Sequence, residues 1–289
     1  MSRKSIGWLT VDEYQDVSPL QHRLMRLWLG DNRNVCVVGD PAQTIYSFAG
    51  ASSYDLLAFA DEFKPLSADI RLGTDYRSTP QVVNYANRVL AASPMRRDYL
   101  RLSSARGNGA RVSRKVYETD ALEAQGVAMR IAKLVADGAN PSDCAILTRI
   151  NAQQAACCSA LRAVRLGYRV RRDSGWAASS SVADLEAAGQ LALAETMREH
   201  DDETTRRLGK VTVSTIHAAK GLEFKHVFVI GCSEGLLPYG YAQDDDALEE
   251  ERRLMYVAIT RAEDTLHMSY ARSKDGMGER QRSLSRFLS

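Results

Sequence analysis

No apolar run in the 289-residue sequence approaches the roughly eighteen residues a membrane helix needs, so no segment reads as a membrane span. No C-x-x-C pair occurs among the five cysteines, Cys36, Cys144, Cys157, Cys158 and Cys232, which excludes the usual zinc spacing. Three of them lie in apolar strand-like runs and two are adjacent in an alanine-rich stretch, settings expected of buried, reduced thiols in a cytosol. The first residues carry no hydrophobic stretch of signal-peptide type, and a cytoplasmic location is the expectation. There is no repeat of fixed period and no excess of either charge: 38 Lys and Arg against 36 Asp and Glu leave a net +2. That balance neither requires nor excludes nucleic acid, because a backbone-binding groove needs local rather than global charge. Arg162, Arg165, Arg169, Arg171 and Arg172 do cluster, and read as a solvated helix face and strand edge ahead of a DNA track.

What is present has the make-up of an ordinary globular protein, 45% hydrophobic and 26% charged, long enough for one large or two medium domains. Strand-like runs alternate with helical patterns, which predicts an α/β fold with mainly parallel sheets and helices on both faces. Residues 1–90 read as three strand–helix pairs. The first helix, from Pro19, carries Leu20, Leu24, Leu27 and Trp28 at helical spacing, and the second, near Tyr54–Phe63, carries Leu56, Leu57, Ala60 and Phe63. Ile70–Thr74 predicts a short strand. Thr79 as N-cap and Pro80 at the first helical position open the third helix, with Val82, Val83, Ala86, Val89 and Leu90 as its apolar face. Residues 91–110, rich in Ser, Arg and Gly, read as a linker. Beyond it strands are predicted at Val112–Tyr117, Cys144–Thr148, Tyr168–Val170, Val211–Thr215, His226–Gly231 and Leu266–Tyr270, with helices at Leu122–Asp137 and Ala152–Leu166. A further helix, Val182–Glu199, occupies a short stretch between Gly175 and Lys210.

The chemistry concentrates where strands end. Trp8-Leu9-Thr10-Val11-Asp12-Glu13-Tyr14-Gln15-Asp16 closes an apolar strand with two adjacent acids. Parallel strands present their C-terminal ends to the ligand crevice, where an Asp can hold magnesium and a Glu can orient water towards a γ-phosphate. The same pair could be no more than a helix N-cap. A second strand, Val35–Val38, runs into a polar and then aromatic exit loop, Gly39-Asp40-Pro41-Ala42-Gln43-Thr44-Ile45-Tyr46-Ser47-Phe48. If that loop is extended, Tyr46 and Phe48 point to opposite sides. Three later segments follow: Asp75-Tyr76-Arg77-Ser78, Thr215–Phe224 around His217-Ala218-Ala219-Lys220-Gly221-Leu222-Glu223, and Glu249–Ala262.

These five stretches, in this order, resemble motifs of the UvrD/Rep/PcrA family of superfamily 1 DNA helicases. The resemblance implies RecA-like, P-loop NTPase-type architecture: an incomplete first domain over 1–90, a linker over 91–110, and a fuller second domain over 111–289, with 175–210 as a shortened insertion. It implies ATP and Mg2+ as cofactors and a 3′–5′ helicase or translocase acting on single-stranded DNA or a 3′-tailed duplex. DNA repair or replication, with other repair proteins as partners and no membrane, is the implied setting. Asp12 would coordinate magnesium, Glu13 would polarise the attacking water, and Gln43 would sense the γ-phosphate. Arg77 and Arg261 would be arginine fingers, Glu223 would bond the ribose, and Gly221 would permit close approach or a positive φ. Tyr46, Phe48 and His217 would contact DNA bases. Lys220 reads as a solvated lysine.

The sequence departs from the family at Ala49, where arginine is common, at Asp75, where asparagine is usual, and mildly at Phe48, where tryptophan is common. It contains no G-x-x-x-x-G-K-[ST] phosphate loop; Gly209-Lys210, followed by Val211, is the lone Gly-Lys pair. The expectation is a polypeptide carrying the back half of the motor, inactive on ATP by itself. The alternative is a helicase remnant that binds DNA or a protein without turning over ATP.

Overall fold

The computed structural model describes residues 6–171, 209–240, 244–274 and 281–288. The helix expected at Val182–Glu199, most of the 175–210 stretch and Arg172 lie outside them. The α/β class with parallel sheets is present. A two-stranded parallel sheet pairs β1 (Leu9–Val11) with β2 (Val35–Val37), Leu9 opposite Val35. Its covered face packs Leu9, Val11, Val35 and Val37 on Tyr14, Met25, Leu29 and Phe59. The other face is open: Cys36 is exposed, against the expectation that it is buried.

Helix α1 (Pro19–Leu29) starts where Ser18 and Gln21 form a reciprocal capping box, with Pro19 at its first position. It turns Met25 and Leu29 inward. The stripe of Leu20, Leu24, Leu27 and Trp28 is therefore not the buried face; Leu20 is 77% and Trp28 57% exposed. A sheet of two strands offers one helix only a narrow surface, and among the described residues nothing stands over the remainder of the stripe. Helix α2 (Tyr54–Glu62) buries Phe59, on which Phe63 stacks at 4.4 Å, and leaves Leu57 exposed.

The larger sheet has six parallel strands in the order β5 (Ser113–Thr119), β10 (Ala262–Ser273), β9 (Phe224–Val229), β6 (Cys144–Thr148), β8 (Val211–Thr215) and β7 (Tyr168–Arg171). Every residue of β6 and β8 is buried, as expected of parallel strands sandwiched between helices. Helices α4 (Asp120–Ala136) and α5 (Gln154–Ala163) cover one face, packing Val127, Ile131 and Leu161 on Ile146, Val213 and Phe228. Helices α3 (Pro80–Ala91) and α6 (Asp245–Thr260) cover the other, packing Val82, Ala86, Val89, Leu254 and Val257 over Leu147 and Val229.

Helix α3, read from sequence with the first ninety residues, thus packs on the second sheet. The stretch 91–110 is tied back as well: β4 (Ser103–Ser104) pairs with β3 (Thr74–Asp75), and the Asn87 side chain bonds the backbone of Leu102 in both directions, at 2.8 and 3.0 Å. The strand expected at Ile70–Thr74 shrinks to Thr74–Asp75, because its partner is only two residues long; Ile70 and Leu72 are exposed. Among the described residues no helix is long and apolar enough to cross a membrane.

Side-chain deletion should separate the two kinds of apolar residue. Ile146→Ala, in the fully buried β6, is expected to lose about 2–5 kcal/mol in urea unfolding. Leu24→Ser, on the open stripe of α1, should change stability by less than about 0.5 kcal/mol. A comparable loss at Leu24 would show that the stripe is covered in solution.

Candidate functional site

Beyond β1 the chain turns sharply. Glu13 sits in the left-handed region at φ 52°, ψ 39°, with its amide donating to Asp12 Oδ1 at 2.8 Å. A non-glycine residue there is strained, and such strain gathers at sites where a side chain must be aimed. Ser18 caps α1; Glu13 stands at the N-cap of the 3-10 turn Tyr14–Asp16, where its side chain makes no cap bond. Gln15, itself buried, joins the two strand exits: its Nε2 donates to Glu13 at 2.5 Å and its Oε1 accepts from the Asp40 amide at 3.0 Å. The Asp40 carboxylate in turn accepts from the Ala42 amide at 2.9 Å and from Gln43 Nε2 at 3.0 Å, shaping the Pro41–Gln43 turn. Burial holds the Asp40 carboxyl above the usual carboxylate range.

Lys220 is not solvated. Its side chain is 7% exposed, and Nζ pairs with Asp16, donates to the Gln43 carbonyl at 2.9 Å and lies 3.6 Å from Glu13. The same ammonium sits 5.1 Å from the centre of the Tyr46 ring. A lysine in a turn after a strand is normally free to reach water; here the acids and aromatic loop of the smaller sheet close over it.

Arg77 and Glu223, expected at opposite ends of a nucleotide, pair with each other at 2.5 Å. Asp75 accepts the amides of Arg77 and Ser78 at 2.6 and 2.8 Å, so it shapes the turn as an asparagine would. Thr79 occupies the N-cap of α3, but its side chain makes no cap bond; the helix start is pinned instead by Ser78 Oγ to the Ala262 carbonyl at 2.8 Å and the Thr79 amide to the Glu263 carbonyl at 2.9 Å. Gly221 has φ +79°, one of the two alternatives its motif offered, and Glu223 two residues on lies beside Arg77. Arg261 ends α6 buried, donating to the Leu222 carbonyl at 2.9 Å. Burial, with Arg77 nearby, lowers its guanidinium to about 10, while Glu13 and Glu223 oppose that shift. Both arginines and these two acids thus share one electrostatic environment.

The exit loop is not extended at its aromatic end. Ser47–Ala49 forms a 3-10 turn, and this brings Tyr46 and Phe48 to one side rather than two. Their ring centroids are 5.9 Å apart, and His217 lies 6.3 Å from Tyr46 and 5.9 Å from Phe48. Tyr46 donates its hydroxyl to the His217 carbonyl at 3.2 Å, whereas Phe48 is 65% exposed. Phe48 and His217 line a cavity of about 520 Å3 with Arg149, Asn151, Tyr239 and Glu250. Burial, with Arg149 nearby, depresses His217 to about 4, so it offers a neutral ring at pH 7. Arg149 forks onto Glu251 at 2.6–3.1 Å and lies over Tyr239.

Arg149, Asn151, Tyr239 and Glu250 were not singled out from sequence. One signal was available: Arg149-x-Asn151 leaves β6 as His217 leaves its neighbour β8, at the same sheet end. All the expected site residues are brought into two groups, one around Glu13, Gln43, Arg77, Glu223 and Arg261, the other around Tyr46, Phe48 and His217. Asp12 stands beside Glu13 at the edge of the first.

The family model described as the UvrD-like helicase C-terminal domain matches residues 70–176 and 179–273, and that of the UvrD/REP helicase N-terminal domain matches residues 1–64. The chain is 39% identical over 345 residues to the ATP-dependent DNA helicase UvrD2 of Mycobacterium tuberculosis H37Rv, covering 96% of this chain and 49% of that protein. It is 26% identical over 419 residues to the ATP-dependent DNA helicase PcrA of Staphylococcus aureus, covering 97% of this chain and 57% of that protein. The chain spans about half the length of the curated relatives it matches. The C-terminal domain of a possible DNA helicase from Lactobacillus plantarum aligns at a TM-score of 0.44 and 20% identity, over 74% of this chain and 92% of that one.

The depressed His217 has a measurable consequence. In the unfolded chain it takes up a proton near its ordinary value of 6.5, in the folded chain only near 4, so its contribution to stability is lost as pH falls through that window. His267 acts in the same direction, and Glu123, raised by burial to about 7, in the opposite one. Comparing His217→Gln with the parent at pH 7.5 and pH 5 cancels both. The variant's deficit should shrink by roughly 1–2 kcal/mol at pH 5; an unchanged deficit would place a charged histidine in the folded cluster.

Proposed function

Because the chain belongs to the UvrD-like helicase family, we propose that it provides part of an ATP-dependent 3′–5′ DNA helicase. In this reading the acids and arginines serve ATP hydrolysis, and the aromatic cavity holds bases of single-stranded DNA or of the tail of a 3′-tailed duplex. The observation that carries it is the loop Gln43–Phe48. At one end the Gln43 carbonyl accepts from Lys220, whose ammonium also faces Glu13; at the other Phe48 faces the cavity; and between them the second unit grips the loop through Arg253 to the Thr44 carbonyl at 2.6 Å and Glu250 to the Ser47 amide at 3.2 Å. One short segment therefore touches both groups. We set the division between the two RecA-like units between residues 64 and 70, since α3 packs on the second sheet. Other DNA-repair proteins are the proposed partners, and the cytoplasm the proposed location.

Phosphoryl transfer to water asks for positioning and charge stabilisation. Glu13 would orient the water, Gln43 would report the γ-phosphate, and Glu223 would turn from Arg77 to the ribose. Arg77 and Arg261 would meet charge on the phosphate oxygens, where a planar guanidinium binds two at once. Magnesium, when bound, would neutralise phosphate charge. Among the described residues no three or more His, Cys, Asp or Glu groups converge, and magnesium needs none, because one or two carboxylates hold it with water and phosphate. The exposed Asp12 carboxylate suits that role. Stacking on Phe48 beside a neutral His217 is tolerant of sequence and worth about 1–3 kcal/mol per base.

Two results would test the reading on the 289-residue chain. With ATP, magnesium and oligothymidylate, no DNA-stimulated phosphate release is expected, since the sequence holds no phosphate loop and each missing charge-assisted bond costs about 1.5–3 kcal/mol. Release that co-purifies with the chain would mean its ATP site is built elsewhere. In fluorescence anisotropy, Phe48→Ala should weaken oligothymidylate binding by about 5- to 50-fold with an unchanged salt slope, because a base contact is lost and no phosphate contact is. Equal binding by the variant would remove Phe48 from the DNA face.

A further inference from the structure

The side chain that ties the two groups of site residues together is one to which sequence reading gave no role. Lys220 carries three N–H donors. Asp16 takes one, the Gln43 carbonyl another at 2.9 Å, and Glu13 lies within ion-pair reach at 3.6 Å. With its side chain 7% exposed and two of its three donors engaged, it is turned away from any phosphate in solvent. Its chemistry is spent inside the protein, carrying a charge of the second unit onto groups of the first.

We propose that Lys220 is a positioning residue that locks the Gln43–Phe48 loop, so that the DNA-stacking rings are presented only while the acids at the end of β1 hold its ammonium. The inference rests on the reading of Tyr46, Phe48 and His217 as the DNA face. The links form a closed circuit. Asp16, with Glu13 behind it, holds Nζ; Nζ holds the Gln43 carbonyl at the start of the loop and lies under the Tyr46 ring. Tyr46 returns a hydrogen bond to the carbonyl of His217, in the same 3-10 turn that Lys220 ends. A buried ammonium facing an aromatic ring is attracted to it more strongly than an exposed one. Neutralising Lys220 would therefore leave Asp16, already raised above the usual carboxylate range by burial, with no cation to hold it and would free the loop at two points at once. The geometry also gives the coupling a direction. Whatever draws Glu13 or Asp16 away from the ammonium loosens the aromatic end of the loop, with no contact between the acids and DNA.

The test uses the 289-residue chain with Lys220→Met, Asp16→Asn and the double variant. Hydrogen–deuterium exchange reads the loop, whose amides at Ala49, Gly50 and Ala51 bond back to Tyr46 and Ser47. Oligothymidylate anisotropy at several salt concentrations reads the DNA face. In either single variant, exchange over residues 43–51 should rise by about tenfold while the β6 segment keeps its protection. Oligothymidylate affinity should fall by about 5- to 50-fold with the salt slope unchanged. The double variant should be no worse than the singles, since both break one link.

Unchanged exchange in the loop would overturn the proposal, as would additive losses in the double variant. A salt slope reduced by about one would make Lys220 a direct phosphate contact instead. Loss of β6 protection in both single variants would reduce it to a general folding residue. If the parent itself fails to bind oligothymidylate, the DNA reading falls, while the exchange data still decide whether Lys220 positions the loop.

Discussion

A wide parallel sheet is stable only with both faces covered, and the rest of this molecule follows from how the larger sheet meets that constraint. Six strands bury their apolar residues only because α3 and α6 cover one side and α4 and α5 the other. Covering both faces leaves the strand ends as the exposed backbone of the sheet. The residues that leave β6 and β8, Arg149 and Asn151 on one and His217 and Lys220 on the other, are thereby set side by side at one edge. The smaller sheet shows the same rule from the other direction. With two strands and one covered face, it exposes Cys36 and a stripe of α1 that would be core in a thicker sheet.

Between the sheets, Ala42 and Ile45 pack into the apolar core under α6, and charged, directional contacts are added to that packing. Lys220 reaches Asp16, Glu250 reaches Ser47, and Arg253 reaches a carbonyl at Thr44. Such contacts define a register between two bodies more sharply than apolar packing does, and each can be exchanged for a bond to a ligand. Arg77 and Glu223 illustrate this. Paired with each other at roughly half exposure, they hold little net stability and can part readily. The buried groups behave differently. Arg261, fixed to the Leu222 carbonyl, and Asp40, fixed to its own turn, are held in place at a cost that a surface pair does not bear.

Much of the fold was legible along the chain. Cys144–Thr148, all apolar or small and bounded by turn residues, is the observed β6 to the residue, and Pro80 opens α3 as its missing amide requires. Among the described residues the helix signals were true and the burial signals less so. Leu20, Leu24, Leu27 and Trp28 do lie on a helix, but a 3.6-residue period reports one face of a helix, not what stands opposite it. For the site, the residues of the acidic pair, the two arginines and the aromatic loop were named from their motifs, and the structure brings them together. The mutual pairing of Arg77 with Glu223 was not legible, because a motif describes a side chain facing a ligand.

Sequence by itself determined the strand–helix alternation, the acids after β1 and the family to which the chain belongs. These depend on local periodicity and short motifs, both of which are written within a few residues. Tertiary structure alone decided that Tyr46 and Phe48 share a side, that His217 is held neutral, and that Lys220 is buried among carboxylates. Each depends on a neighbour far away in the chain: residue 16 beside residue 220, residue 47 beside residue 250. The charge state and reach of a side chain are set by what surrounds it in space, and the one-dimensional order of residues does not contain that distance.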